Sequence, residues 1–219
     1  MKYKLSTMAL TMITLFACSQ TDKTTTEIIL PQECTKECVR PYGTVLGSAG
    51  KGLESYSNCR PNCVVWDPFY VNHPDISEPI YTGIKWQCVE YSRRWLILNK
   101  RLTYGSIDYA YQIWDDITYY TDPKNGVKYP TINFINGSST KPKVGDLLIY
   151  DPNFAGTGHV AVVTDVDIEQ EFVRVAEENY LNDFWPGDYA REIVLNFVDG
   201  KYFLIDEHLY GWKRSKATP

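Results

Sequence analysis

The chain predicts an α+β domain in which one helix packs on an antiparallel sheet. Three observations predict it. Apolar residues recur at helical spacing over 87–102, where Cys88, Tyr91, Trp95 and Leu98 share a face. Beyond residue 144 the period changes to two, in runs over 145–151, 158–166, 171–178, 190–198 and 201–206. Asp199-Gly200 between the last two runs is a hairpin turn signal. Helix first and strands afterwards is an α+β order, and 219 residues suit one core better than two.

The elements follow in order. Residues 1–17 read as a secretory signal, with Lys2 and Lys4 ahead of the apolar stretch Met8–Phe16. Leu15-Phe16-Ala17-Cys18 resembles the bacterial lipobox, in which the cysteine is acylated and becomes the new N-terminus. An ordinary cleavable signal with an incidental cysteine is the plainer reading. Ser19 resembles an outer-membrane sorting residue. Residues 18–33, Thr-rich over Thr21–Thr26, are expected to be a flexible tether.

Cys34, Cys38, Cys59 and Cys63 form two CxxxC pairs. In an oxidising compartment they predict two disulfides that staple residues 34–63. Four cysteines allow three connectivities; nested bonds would suit two antiparallel segments. Zinc is the runner-up, but the spacing departs from CxxC. Residues 67–80, with Pro68, Pro74 and Pro79, predict a loop. Ser106-Ile107-Asp108 predicts the cap of a second helix running to Asp116. Turn dipeptides mark 121–144 as turn-rich. The domain then runs to 213, with a tail over 214–219.

The composition narrows the function classes. The net charge of −5 argues against a nucleic-acid partner, and loss of Lys2 and Lys4 would make the chain more acidic still. Seventeen tyrosines and six tryptophans fit a surface for flat ligands or, as readily, filled sheet faces.

With four cysteines stapled and Cys18 for lipid, Cys88 is the odd thiol. It opens the predicted helix, where the macrodipole favours thiolate. A thiolate nucleophile needs a base and an orienter. His159 opens an apolar strand and Glu177 and Glu178 close the next one. Cys, His, acid is the chain order of papain-like amide hydrolases. A turn centred on Ile168 sets His159 directly opposite Glu177, with Val163 opposite Val173. A slip of one residue would select Glu178 instead. In the favoured register Glu178 is solvated. His73 and His208 are expected at the surface. Arg93 and Arg94 would ordinarily be a solvated helix face, though Arg93 could instead hold a substrate carboxylate or carbonyl. Read blandly, Cys88 is a small buried hydrophobe and His159 a satisfied edge histidine.

Ile84-Lys85-Trp86-Gln87-Cys88-Val89-Glu90-Tyr91-Ser92-Arg93-Arg94-Trp95 resembles the nucleophile segment of glutathionylspermidine amidases, members of the CHAP (cysteine, histidine-dependent amidohydrolase/peptidase) superfamily. Pro41–Gly47 resembles their entry segment, Thr157–Ala161 their base strand, Arg174–Asn179 their acid strand and Gly211-Trp212 the close of the domain. The resemblance implies a papain-like fold over 34–213, with Cys88 as nucleophile, His159 as base and Glu177 as orienting acid. It places Arg93 and Asn179 near the substrate, and Gln87 joins the helix-start N–H as an oxyanion donor. It implies a small amide substrate, the bond joining the glycine of glutathione to spermidine. No cofactor or metal is implied, since no ATP-grasp domain is present. The CxxxC pairs and the export signal depart from the family pattern. They point to a lipid-anchored protein of the bacterial envelope, facing the periplasm from the outer membrane. There a peptidoglycan stem peptide is the alternative substrate. A non-catalytic binding module on the same fold is the second alternative.

Overall fold

The computed structural model describes residues 29–219. The expected signal (1–17), Cys18 and the tether as far as residue 28 lie outside the described residues. Gln32–Cys34 forms a 3-10 turn, and Leu30 packs against the cysteine cluster that follows.

Four short strands come first: β1 (Val45–Ser48), β2 (Glu54–Tyr56), β3 (Pro68–Val71) and β4 (Ile80–Ile84). They pair as two hairpins, β1 with β2 and β3 with β4. The disulfides are nested, Cys34–Cys63 and Cys38–Cys59, and lie beside these hairpins. The helix α1 (Cys88–Lys100) follows. It ends at Arg101, whose backbone is left-handed and whose N–H closes onto Ile97. Then come β5 (Tyr119–Thr121), β6 (Lys128–Ile135), β7 (Leu147–Tyr150), β8 (Val160–Asp167), β9 (Phe172–Ala176), β10 (Arg191–Val198), β11 (Lys201–Leu204) and β12 (Leu209–Ser215). These eight form one antiparallel sheet in the order β11-β10-β9-β8-β7-β12-β6-β5.

The apolar period explains the packing. Tyr91, Trp95 and Leu96 of α1 share a core with Leu147, Ile149, Val160, Val162 and Ala176, so the helix covers one face of β7–β9. The alternate residues Leu148, Ala161, Val163, Val173 and Val175 bury a second core with Trp212 on the other face. Each such large apolar side chain stabilises the fold by about 1.5–3 kcal/mol when fully buried. Gly83 lets β4 pass against α1: a Cβ there would stand 3.0 Å from the Glu90 backbone, at φ +150°.

Four sequence expectations need correction. The second helix is only a 3-10 turn over Ala110–Ile113. Gln112, not Ser106 or Asp108, satisfies its start by accepting from the N–H groups of Asp108 and Tyr109. The turn-rich stretch 121–144 contains the eight-residue β6, whose pattern of exposed and half-buried residues carries a weak apolar signal. The proline-bearing loop 67–80 is bounded by strands, with Pro68 opening β3. The hairpin register is the fourth. β8 and β9 pair Val162 with Ala176 and Val163 with Val175, two residues along from the expected register, and a bulge follows before Asp165. On the His159 side of the bulge, a slip of two keeps the side chains on their expected faces, so His159 and Glu177 still share one. At Asp199-Gly200 both residues have positive φ, as the predicted hairpin turn requires.

Candidate active site

Cys88 is the free thiol among the described residues and the first residue of α1. The chain enters through β4 and Gln87, whose extended backbone caps the helix. His159 stands one residue ahead of β8, and its carbonyl accepts from the Tyr150 N–H of β7. Gly158 makes this approach feasible. A Cβ there would meet the Tyr150 carbonyl at 2.6 Å and the Tyr111 backbone nitrogen at 2.9 Å, at φ +65°. Glu177 stands one residue after β9. Sheet pairing therefore brings the His and Glu backbones together at the ends of neighbouring strands.

The imidazole Nε2 of His159 lies 2.8 Å from Glu177 Oε2, and both side chains are buried. Tyr150, Phe154 and Tyr180 surround the ring at centroid distances of 5.2–5.4 Å and keep water from it. Burial by itself would lower the proton affinity of His159. Hydrogen bonding and charge from Cys88 and Glu177 outweigh it and raise the pKa to about 9. Burial would likewise raise the Glu177 carboxyl. The Arg191 guanidinium and His159 outweigh it and hold the group below its ordinary value. The arrangement thus favours an imidazolium facing a carboxylate, next to a thiol at a helix start.

Gln87 and Asn179 meet: Asn179 Nδ2 donates to Gln87 Oε1 at 2.9 Å. Gln87 Nε2 donates to the carbonyl of Cys63 at 3.1 Å, so the disulfide-held segment touches the residue before the thiol. Arg93 lies elsewhere. Its guanidinium donates to the carbonyls of Thr82, Tyr104 and Gly105 and is 6% exposed, so its donors serve the backbone rather than a substrate.

Arg94 and Glu178, expected in solvent, are each 1% exposed. Arg94 donates to Glu90 at 3.0 Å and to Glu178 at 2.8 Å, and the Tyr56 N–H also reaches Glu178. Burial, opposed by Arg94 but aided by the Glu90 charge, pushes the Glu178 carboxyl well above the usual range. One cation thus serves two buried carboxyl groups. Helical spacing missed this because Glu90 and Arg94 are polar residues on a face that β2 and β4 cover. Arg191, which the hairpin pattern does not single out, donates from Nε to Glu177 Oε1 at 2.7 Å. Its one signal was a basic residue opening the strand after the acid strand.

Comparison with known proteins places this geometry in context. Residues 79–179 match the model of the CHAP domain. The chain is 31% identical over 168 residues to trypanothione synthetase of Crithidia fasciculata, covering 76% of this chain and 24% of that protein. It is 33% identical over 184 residues to the bifunctional glutathionylspermidine synthetase/amidase of Escherichia coli (strain K12), covering 78% and 29%. A glutathionylspermidine synthase of Crithidia fasciculata is 35% identical over 141 residues, covering 62% and 19%. The chain therefore spans less than a third of the length of each of these relatives.

Proposed function

We propose that this chain, whose residues 79–179 match the CHAP domain model, is a cysteine-dependent amide hydrolase of papain-like architecture, with Cys88, His159 and Glu177 as its triad. The observation that carries the reading is the buried 2.8 Å contact between His159 and Glu177, made beside a free thiol that opens a helix.

The chemistry follows from the groups. The Cys88 thiolate attacks the amide carbonyl carbon, and the carbonyl electrons move to oxygen. The oxyanion is met by backbone N–H at the start of α1 and by the Gln87 carboxamide, which has a second N–H besides the one given to Cys63. Collapse breaks the C–N bond, and the leaving amine takes its proton from His159. The acyl group remains as a thioester. Water then gives a proton to the neutral His159 as its oxygen attacks the thioester, and the thiolate leaves. Glu177 keeps the imidazole oriented throughout and balances its charge. Asn179 supports Gln87 through its amide.

The substrate we propose is an amide of the glutathionylspermidine type, on the strength of the amidase named in the Escherichia coli relative. A peptidoglycan stem peptide is the second reading. The two disulfides favour it, because they suit an exported protein that meets cell-wall amides first. On either reading we place the chain in the bacterial envelope, lipid-anchored through Cys18. A pure binding module would need none of the three triad groups. Offering the purified protein glutathionylspermidine and muropeptides separately, and following new amines by mass spectrometry, tests the proposal. Release from the first alone supports the first substrate, and release from the second alone the other. Release from neither defeats the amidase reading.

A further inference from the structure

We propose that Arg191, backed by Asp206 and Tyr150, is a positioning group for catalysis that locks the Glu177 carboxylate in the orientation His159 requires. The inference rests on the triad proposed above. Its basis is a division of labour at one carboxylate. Arg191 Nε donates to Oε1 at 2.7 Å, while His159 holds Oε2 at 2.8 Å. With both oxygens held, the carboxylate cannot rotate without breaking a charged hydrogen bond.

The guanidinium is itself fixed. Nη1 donates to Asp206 Oδ2 at 2.7 Å, and Nη2 donates to the Tyr150 hydroxyl at 2.8 Å. That hydroxyl donates to Asp206 Oδ2 at 2.6 Å, which closes the ring of contacts. The ring of Tyr180 covers the guanidinium, with its centroid 4.2 Å away. The groups come from one end of four neighbouring strands. Tyr150 ends β7, His159 precedes β8, Glu177 follows β9 and Arg191 opens β10. Along the line the charges alternate: imidazolium, carboxylate, guanidinium, carboxylate.

A carboxylate buried this deeply stays ionised only beside lasting positive charge. His159 cannot supply it alone, because its own proton moves during turnover. Arg191 keeps its charge at every pH the enzyme meets. The groups that face Glu177 are His159 and Arg191, with Asp206, Tyr150 and Tyr180 behind the arginine. Without Arg191, Glu177 takes up a proton as the pH falls and no longer orients the imidazole. The thiolate–imidazolium pair then fails from the acid side.

The test reads Cys88 itself and needs no substrate. Iodoacetamide alkylation of the Cys88 peptide is followed by mass spectrometry from pH 4 to 10 in the wild type, R191Q, R191K and E177Q, with near-ultraviolet circular dichroism as the check on folding. In R191Q the acid limb should move up in pH, so that alkylation at pH 6 falls by about tenfold or more while that at pH 9.5 changes by less than about twofold. E177Q should show the same profile, and R191K should lie between R191Q and the wild type. If R191Q fails to fold, R191K is decisive, and its profile must still shift in the same direction. A folded R191Q or R191K with the wild-type profile overturns the inference. A wild-type profile matching an ordinary free thiol would instead count against the triad.

Discussion

Adjacent in sequence, Glu177 and Glu178 accept hydrogen bonds from different arginines on opposite sides of the strand end: Arg191 reaches Glu177 at 2.7 Å and Arg94 reaches Glu178 at 2.8 Å. The period of two at the end of β9 separates them. Their environments then push the two carboxyls in opposite directions, Glu177 towards the charged form and Glu178 towards the neutral one.

Glu177→Gln should therefore lower turnover by about 10³–10⁴, the scale seen when the orienting acid of a triad is lost. Glu178→Gln touches neither His159 nor Arg191, so turnover should hold, and what it weakens is the buried ion pair with Arg94, read as a loss of stability. Arg94→Met should leave the Glu90 charge buried and unpaired at a cost of about 3–5 kcal/mol in denaturant unfolding. A loss of turnover in Glu178→Gln comparable to that in Glu177→Gln would reverse the two roles.

The pH dependence has two sides. His159 is raised from its ordinary 6.5 to about 9. Its contribution to stability is full below pH 6.5 and is lost as the pH rises through about 9. Glu177 is lowered, so its contribution is present above about pH 4.5 and is lost as the pH falls through its depressed folded value. Unfolding free energies should thus be greatest between about pH 5 and 7, and kcat/KM should fall above about pH 9 as the proton for the leaving amine is lost. An alkaline limb that stays in place in Glu177→Gln would detach it from this pair.

Cys88→Ala should abolish hydrolysis and leave the fold intact, since it removes a small side chain at the helix start. Iodoacetamide should label Cys88 in the wild type faster than free cysteine at pH 6–7. Residual turnover in Cys88→Ala would rule out the thiol as nucleophile.

Intact-mass analysis of exported protein should show the four protons lost to two disulfides. Removing Cys34–Cys63, which spans 29 residues, should cost about 3–4 kcal/mol on the chain-entropy account. It should also lower kcat by about tenfold, because the Cys63 carbonyl holds the Gln87 amide. Removing Cys38–Cys59 should affect stability more than kcat. Equal kinetic losses from the two would show that the Cys63–Gln87 contact has no special part.

The proposed lipid anchor at Cys18 is open to direct measurement. Full-length protein should partition into detergent and carry added mass on Cys18. Cys18→Ser should release it to the soluble fraction with hydrolysis unchanged in vitro. Each buried methylene of an acyl chain contributes about 0.8 kcal/mol to membrane binding. A mature N-terminus downstream of Cys18 would replace anchoring with ordinary secretion.

By itself the sequence determined the features that depend on local periodicity and residue chemistry. These were the span of α1, the strands from 147 to 204, the Asp199-Gly200 turn, and Cys88, His159 and Glu177 as the chemical candidates. A period of 3.6 or 2 is written in neighbouring residues, and a thiol left over from two CxxxC pairs can be counted. Tertiary structure alone decided the hairpin register, because the loop at 168–171 and the bulge at 163–165 are set by packing rather than by pattern. It decided that Arg94, Glu90 and Glu178 are buried together, since a polar residue reads as solvated until β2 and β4 close over it. It also decided that Arg191 meets Glu177. Twelve residues separate Glu178 from Arg191, and a loop of that length leaves the pairing of β9 with β10 open until the sheet forms.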